Sequence, residues 1–134
     1  MEKIVLDTNI LIEILKNNAQ ITSMFHQTSS KFAISSISAM ELYYGARDKK
    51  ELQTLKKFIT FFDTIDLDVG ISTTATLLIE TYAKSHNLTI PDALIAATSI
   101  KHGYPLWTLN VKDFHYIDSL NLFTSECIET LKVK

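Results

Sequence analysis

Carboxylates recur in this sequence where an α/β chain can present chemistry. Asp7 directly follows the apolar run Lys3-Ile-Val-Leu6. Glu41 lies in the helical stretch after Phe32-Ala-Ile34, and Asp92 follows Pro91. Asn110 and Asp113 follow Leu106-Trp-Thr-Leu109. Carboxylates brought together repel one another and tend to hold protons. A bound divalent cation reverses that balance. Mg²⁺ and Mn²⁺ prefer oxygen ligands in octahedral geometry and keep several waters. An ion so held activates water and stabilises charge developing on a phosphate. His26, His86, His102 and His115 show no His-Glu-x-x-His spacing and read as structural or surface residues. The acids therefore point to Mg²⁺ or Mn²⁺ rather than to zinc.

Each acid also has an ordinary structural duty open to it. Asp7 suits a strand-to-helix turn. Ser38-Ala-Met-Glu41 has the capping-box spacing, in which Glu reaches back to the cap N–H, and spacing alone favours that reading. Asp92 in a first helical turn complements the helix dipole, and Asp113 suits a cap or turn. Taken singly, each duty weighs at least as much as a ligand role. Only the joint pattern favours a metal site.

The elements between the acids must position them. Lys3 to Leu6 predicts a short buried strand. Ile10 to Lys16 is apolar nearly all round and predicts a helix, and Gln20 to Gln27 a weaker one. Phe32 to Ile34 is a second strand, after which Ser38 opens a helix that stops at Gly45. From Asp48 to Thr60, Leu52, Leu55, Phe58 and Ile59 share one helical side, with Lys49, Lys50, Gln53, Lys56 and Lys57 on the other. Phe62 to Leu67, Leu106 to Leu109 and Leu122-Phe123 are further strand candidates. Ile71, Ala75, Leu78 and Tyr82 share a face of a long helix, and Pro91 opens another that runs to Lys101. Short apolar strands separated by helices predict a three-layer α/β/α sandwich with a parallel sheet of four or five strands. Sites in such sheets form beyond the carboxyl ends of the strands. Asp7, Glu41, Asn110 and Asp113 converge on that edge. Two successive helices separate Asp92 from the third strand, so the pattern leaves its edge open.

Composition sets outer bounds. The chain has 134 residues, is 46% hydrophobic and 21% charged, and carries a net charge of −2. Those values exclude a disordered or collagen-like chain. They argue against a globally basic nucleic-acid binder and leave a local basic patch open. With three Gly and two Pro there is no plausible linker, so residues 1–134 read as one domain. The most apolar stretch, Ile4 to Leu15, is broken by Asp7, Asn9 and Glu13, which argues against a membrane span and a secretory signal. A lone cysteine, Cys127, forms neither an internal disulfide nor a multi-Cys zinc site, and fits a reducing cytoplasm.

Ile4-Val-Leu-Asp-Thr-Asn-Ile-Leu-Ile12 resembles the opening motif of PIN-domain nucleases. Ile34-Ser-Ser-Ile-Ser-Ala-Met-Glu-Leu-Tyr-Tyr-Gly45 resembles their second acidic motif, and Ile90-Pro-Asp-Ala-Leu-Ile-Ala-Ala97 the third. Leu106-Trp-Thr-Leu-Asn-Val-Lys-Asp-Phe114 resembles the last. The motifs stand in family order across nearly the whole chain. At this length the chain looks most like the VapC-type toxins of toxin–antitoxin pairs. The resemblance implies a metal-dependent endoribonuclease using Mg²⁺ or Mn²⁺, with Asp7, Glu41 and Asp92 as metal-binding carboxylates. Many relatives carry an acid where this chain has Asn110, so Asn110 and Asp113 share the fourth position, Asp113 as a further metal ligand. Thr8, Asn9, Ser38 and Thr108 are implied to orient waters or carboxylates, although Thr8 and Ser38 suit caps equally well. The implied reaction is hydrolysis of RNA by metal-activated water, leaving a 5′-phosphate and a 3′-hydroxyl. The implied partners are an RNA substrate, a cognate antitoxin whose tail lies across the site, and a second copy in a homodimer.

Other features carry two readings each. Arg47, Lys49, Lys50, Lys56 and Lys57 can track an RNA backbone; an ordinary solvated helix face is the favoured alternative for the lysines. Tyr43 and Tyr44 read as core packing, with base stacking second. Trp107 reads as core. The apolar helix from Ile10 to Leu15 leaves surface that would need a partner. Two rival functions remain. One is phosphatase chemistry with Asp7 as nucleophile; its usual second acid is replaced here by Asn9. The other is a non-catalytic PIN-like module binding RNA or protein, which Asn110 permits.

Overall fold

Alternation along the first strand sets the layers. In the computed structural model, which describes residues 3–27 and 31–124, strand β1 (Lys3–Leu6) sends Ile4 and Leu6 into one core and Val5 into the other. This is the period-two pattern of a strand covered on both faces. Strands β2 (Lys31–Ser35), β3 (Asp63–Ile65) and β4 (Leu106–Trp107) complete a sheet of order β3-β2-β1-β4, parallel throughout. All four carboxyl ends therefore lie along one edge. The chain moves outward from β1 to β3 and then crosses back to place β4 on the other side of β1. That reversal is the switch point at which open α/β sheets form sites.

Four helices cover the first face: α1 (Thr8–Leu15), α2 (Ala19–Gln27), α3 (Ser36–Tyr44) and α4 (Lys49–Ile59). Their Ile10, Leu11, Ile21, Leu42, Leu55 and Ile59 pack with Ile4, Leu6, Ile34 and Trp107 of the sheet. Aromatic rings fill this layer, with Phe25 stacked on Phe32 at 4.5 Å and Trp107 against Phe123 at 5.4 Å. The second face is covered by α5 (Val69–His86) and α6 (Ile90–His102). There Ile71, Leu78, Ala93, Ile95 and Phe114 enclose Val5 and Leu106. The three-layer parallel sandwich expected from the sequence is thus the observed fold.

Several boundaries differ from the sequence pattern, each for a local reason. Helix α1 starts at Thr8 rather than Ile10, because the Asp7 side chain caps it directly at the strand end. Helix α3 starts at Ser36, two residues before Ser38. Ser35, the last residue of β2, caps it by accepting from Ile37 N–H at 3.1 Å. The Ser38–Glu41 capping box is therefore not formed. Strand β3 spans Asp63–Ile65 instead of Phe62 to Leu67. Phe62 N–H still bonds to Ile59 at the end of α4, and the ladder stops where its partner Ser35 leads into α3. Leu122 makes a single parallel bridge to Leu106, so the described sheet has four strands and no fifth. Tyr43 packs on the first core as expected, but Tyr44 is 94% exposed, one helical step round from it. Among the described residues no helix is long and apolar enough to cross a membrane. Cys127 lies outside the described residues.

Helix α1 gives a direct test of this layering. Ile10 is fully buried, whereas Ile12 is 38% exposed. Ile10→Ala should lower the unfolding free energy by about 2–5 kcal/mol in urea titrations. Ile12→Ala should stay within about 0.5 kcal/mol of the parent. Equal losses would mean that α1 is covered on both sides.

Candidate active site

Asp7 stands at the switch point, between the ends of β1 and β4. Its backbone N–H donates to Trp107 O at 2.9 Å, which extends the β1–β4 pairing by one step. The residue is only 5% exposed, and both carboxylate oxygens are held. Thr8 N–H donates to Oδ1 at 2.8 Å, the bond that opens α1. The Thr108 hydroxyl donates to Oδ2 at 2.7 Å. Capping and site membership, alternatives in the sequence pattern, are met by the same side chain.

Glu41 reaches this end from α3. Thr8 Oγ1 lies 2.7 Å from Glu41 Oε1 and 2.9 Å from Ser38 Oγ. A threonine hydroxyl has one hydrogen, and an ionised carboxylate only accepts. Thr8 therefore donates to Glu41, and Ser38 donates to Thr8. Freed from the predicted capping box, Glu41 is aimed across the sheet edge by a hydroxyl of the neighbouring helix.

Asp92 is delivered by the turn between α5 and α6. Asn87 adopts the left-handed conformation, φ 56°, and ends α5. Thr89 then caps α6, its hydroxyl accepting from Asp92 N–H at 3.3 Å and also bonding the Asp92 carboxylate. Helix α6 feeds the amino end of β4, so its own start lies at the carboxyl edge with Asp7. Thr89 is a site residue that the sequence pattern passes over. Its signal was available, because Thr89-Ile-Pro-Asp92 has the cap spacing of Ser or Thr three residues before an acid.

Thr108 is the hub on the far side. Its hydroxyl donates to Asp7 and accepts from Asn9 Nδ2 at 3.4 Å and Asn110 N–H at 3.0 Å. Asn9 Oδ1 accepts from Leu109 N–H at 3.3 Å. These bonds draw residues 108–110 away from the sheet, which is why β4 ends at Trp107 rather than Leu109. Asn110, just before the 3-10 turn Val111–Asp113, and Asp113, its last residue, are both exposed.

Electrostatics bind the four acids together. Burial pushes the Asp7 carboxyl up. The Thr108 and Thr8 bonds oppose that rise, and the charges of Glu41 and Asp113 add to it. Asp92 is pushed up to about 6, first by burial and then by Asp7, Asp113 and Glu41, with Thr89 opposing. The charged neighbours acting on these two groups are carboxylates throughout. Among the described residues no three His, Cys, Asp or Glu side chains are set to enclose a metal ion unaided. A hard divalent ion does not require such a cage, since Mg²⁺ commonly takes one or two carboxylates and completes its shell with water and substrate oxygens. The all-oxygen, like-charged donor set fits that kind of ion.

The predicted RNA-binding residues lie on α4 and just before it. Lys49, Lys50, Lys56 and Lys57 are exposed on α4. Arg47 forms an ion pair with Glu51 at 2.7 Å, and Glu51 also accepts from Arg47 N–H at 3.2 Å beside the Asp48 cap.

The Asp92 shift has a stability consequence with a definite sign. Its folded pKa lies above the ordinary 3.8. The stability gained from its protonation is complete below about 3.8 and is lost as pH rises through about 6. Asp92→Asn is neutral at every pH and escapes that loss. In EDTA at pH 7.5 the variant should melt higher than the parent by roughly 2 °C, a figure kept small because Asp92 is partly exposed. The difference should shrink as pH falls to 5. A difference independent of pH would disconnect it from the Asp92 charge.

Comparison with known proteins places this arrangement. A PIN-domain family model matches residues 4–119, a span that contains all four acids. The tRNA(fMet)-specific endonuclease VapC of Shigella flexneri is 30% identical over 126 residues, covering 90% of this chain and 96% of that protein. Ribonuclease VapC1 of Rickettsia felis is 32% identical over 130 residues, covering 90% of this chain and 95% of that one. The crystal structure of DNA-bound VapBC from Salmonella typhimurium superposes with a TM-score of 0.81 at 28% identity, covering 92% of this chain and 98% of that chain. In sequence and in overall fold, this chain belongs to the PIN-domain family, in its VapC group.

Proposed function

We propose that this chain is a Mg²⁺- or Mn²⁺-dependent endoribonuclease, the toxin of a toxin–antitoxin pair. It works in the cytoplasm as a homodimer and is neutralised by a cognate antitoxin. The observation that carries this reading is the convergence of Asp7, Glu41, Asp92 and Asp113 at one sheet edge, where Asp7, Glu41 and Asp113 all raise the proton affinity of Asp92. Relatives with this fold are named ribonucleases, and the related S. typhimurium structure is a VapBC complex.

Asp7, Glu41 and Asp92 would hold the ion, with Asp113 or the Asn110 amide at the fourth place. When bound, it supplies Lewis-acid charge for a phosphodiester and lowers the pKa of a water. The chain's own residues prepare the site. Thr108 and the Thr8 N–H favour the ionised form of Asp7, and Thr8 fixes the direction of Glu41. Thr89 favours ionised Asp92 against its burial. Arg47, Lys49, Lys50, Lys56 and Lys57 contact the RNA backbone. The tRNA(fMet) named for the S. flexneri relative is the first substrate to try.

Purified antitoxin-free protein should cut a cellular RNA pool at discrete sites with Mg²⁺ or Mn²⁺. EDTA should stop the cutting, and folded Asp92→Asn should reduce it by roughly 100-fold or more. Cuts that survive both would overturn the assignment. Binding of RNA without cutting would favour the non-catalytic module. Replacing Lys49, Lys50, Lys56 and Lys57 with Ala should weaken RNA binding uniformly and flatten its salt dependence by about 0.7 in log–log slope per lost phosphate contact. An unchanged slope would return that face to simple solvation.

A further inference from the structure

Among the described residues, Tyr44 is the most exposed of the large hydrophobic side chains, at 94%. Its ring meets no other ring there, and its hydroxyl has no protein partner. Removing such a ring costs the fold little.

The place of Tyr44 on α3 gives that exposure a meaning. At about 100° per residue, Met40, Glu41, Tyr44 and Gly45 share one side of the helix, and all are exposed. Ser38, Ala39 and Leu42 form the buried side. Tyr44 stands three residues after Glu41, a spacing that leaves about 5–6 Å between Cβ atoms on a helix surface. Glu41 is itself tied to the acidic edge by the Thr8 hydroxyl at 2.7 Å. Gly45, one turn beyond Glu41, puts no side chain beside the Tyr44 ring. Its φ of −82° suits any residue, and a Cβ there would meet the Glu41 and Leu42 carbonyl oxygens at 3.5 and 3.7 Å, ordinary contacts. Neither backbone nor packing demands glycine at this place. Beyond it, Lys49 and Lys50 open α4, both exposed.

These neighbours select what the ring meets. A protein surface laid over Tyr44 would also cover Glu41 and take an acid of the site out of water. A single RNA strand needs only the flat face of the ring, and its phosphates suit the lysines beyond. Unpaired bases stack on aromatic side chains, and every base has a face that does so.

We propose that Tyr44 is a substrate-binding residue on whose ring an unpaired RNA base stacks, beside the phosphate held at the acids. The place of that phosphate rests on the nuclease reading above; the stacked base requires only that RNA binds.

Binding of fluorescein-labelled oligo(A) and oligo(U) is read by fluorescence anisotropy at low salt in EDTA, so that no cutting intervenes. Tyr44→Ala should weaken it roughly tenfold, and Tyr44→Phe, which keeps the ring, should stay within about twofold of the parent. The melting temperature should stay at the parental value in both variants. With Mg²⁺, Tyr44→Ala should raise KM for RNA cleavage and leave kcat near parental, because stacking serves substrate and transition state alike. Without any variant, ultraviolet crosslinking of 5-iodouridine-containing RNA to the parent should map to Tyr44. Unchanged RNA affinity in Tyr44→Ala, equal losses in Tyr44→Ala and Tyr44→Phe, or a crosslink confined to other residues would each overturn the proposal. So would a shift from dimer to monomer in Tyr44→Ala with RNA affinity intact, which would assign the face to a second copy. If the parent binds RNA through Tyr44 but cuts none with either metal, the stack stands and the nuclease reading falls. If cutting depends on the metal and ignores Tyr44, the nuclease reading stands and the stack falls. A parent that binds no RNA ends both.

Discussion

Burying the Asp7 carboxylate is the constraint around which this end of the molecule is built. A carboxylate removed from water is costly unless its oxygens are hydrogen-bonded. Here one oxygen takes the first free N–H of α1 and the other takes the Thr108 hydroxyl. The first bond makes the helix begin at Thr8, with no loop after the strand. The second pulls residue 108 out of the ladder and limits β4 to Leu106–Trp107. Starting the helix at Thr8 also turns that hydroxyl toward Ser38 and Glu41 on α3. One side chain thus fixes a helix start, a strand end and the direction of a second acid.

The price of this geometry is repulsion. Glu41 and Asp113 act on Asp7, and Asp7, Asp113 and Glu41 act on Asp92. No gain in folding follows from gathering like charges, so the two apolar layers must carry the stability that the site opposes. Perturbed carboxylates in a fold that spends stability to hold them together are a mark of functional sites. The donors around them are neutral: the hydroxyls of Thr8, Thr89 and Thr108 and the Thr8 N–H, with Asn9 holding Thr108 in turn. They orient the acids without neutralising them, which leaves the negative charge available to a cation.

Much of this was legible in the sequence, and the failures share one cause. The layers follow from alternation within β1 and from helical periodicity, both local signals. Asp7 was legible because a strand end in a parallel sheet is a fixed place. Glu41 was legible as an acid of the second motif, but its cap was misassigned. Ser35, Ser36 and Ser38 all suit an N-cap, and only the end of the β2 ladder selects Ser35. The edge faced by Asp92 depends on the turn at Asn87 and on α6 running back to feed β4, which no periodicity within either helix encodes. The length of β4 depends on Thr108 meeting Asp7, 101 positions away in the chain. The exposure of Tyr44 is not legible because apolar character says nothing about which of two adjacent tyrosines points inward. Local pattern gave the elements, and long-range hydrogen bonds gave their ends.

The departure at Asn110 is where the long-range view changes the interpretation most. In the sequence, Asn110 and Asp113 compete for the fourth position. In the structure, Asp113 N–H bonds to Asn110 O at 2.9 Å, closing the 3-10 turn between them. Residues three apart in such a turn lie on the same side, so the two positions are neighbours rather than rivals. Their duties divide. The charge that acts on both Asp7 and Asp92 comes from Asp113. The backbone of Asn110 holds Thr108 by a 3.0 Å bond, and Thr108 holds Asp7. An acid is therefore not required at position 110 for negative charge to reach the site. The turn supplies it from Asp113, while the neutral residue before it anchors the hydroxyl on which the buried carboxylate depends.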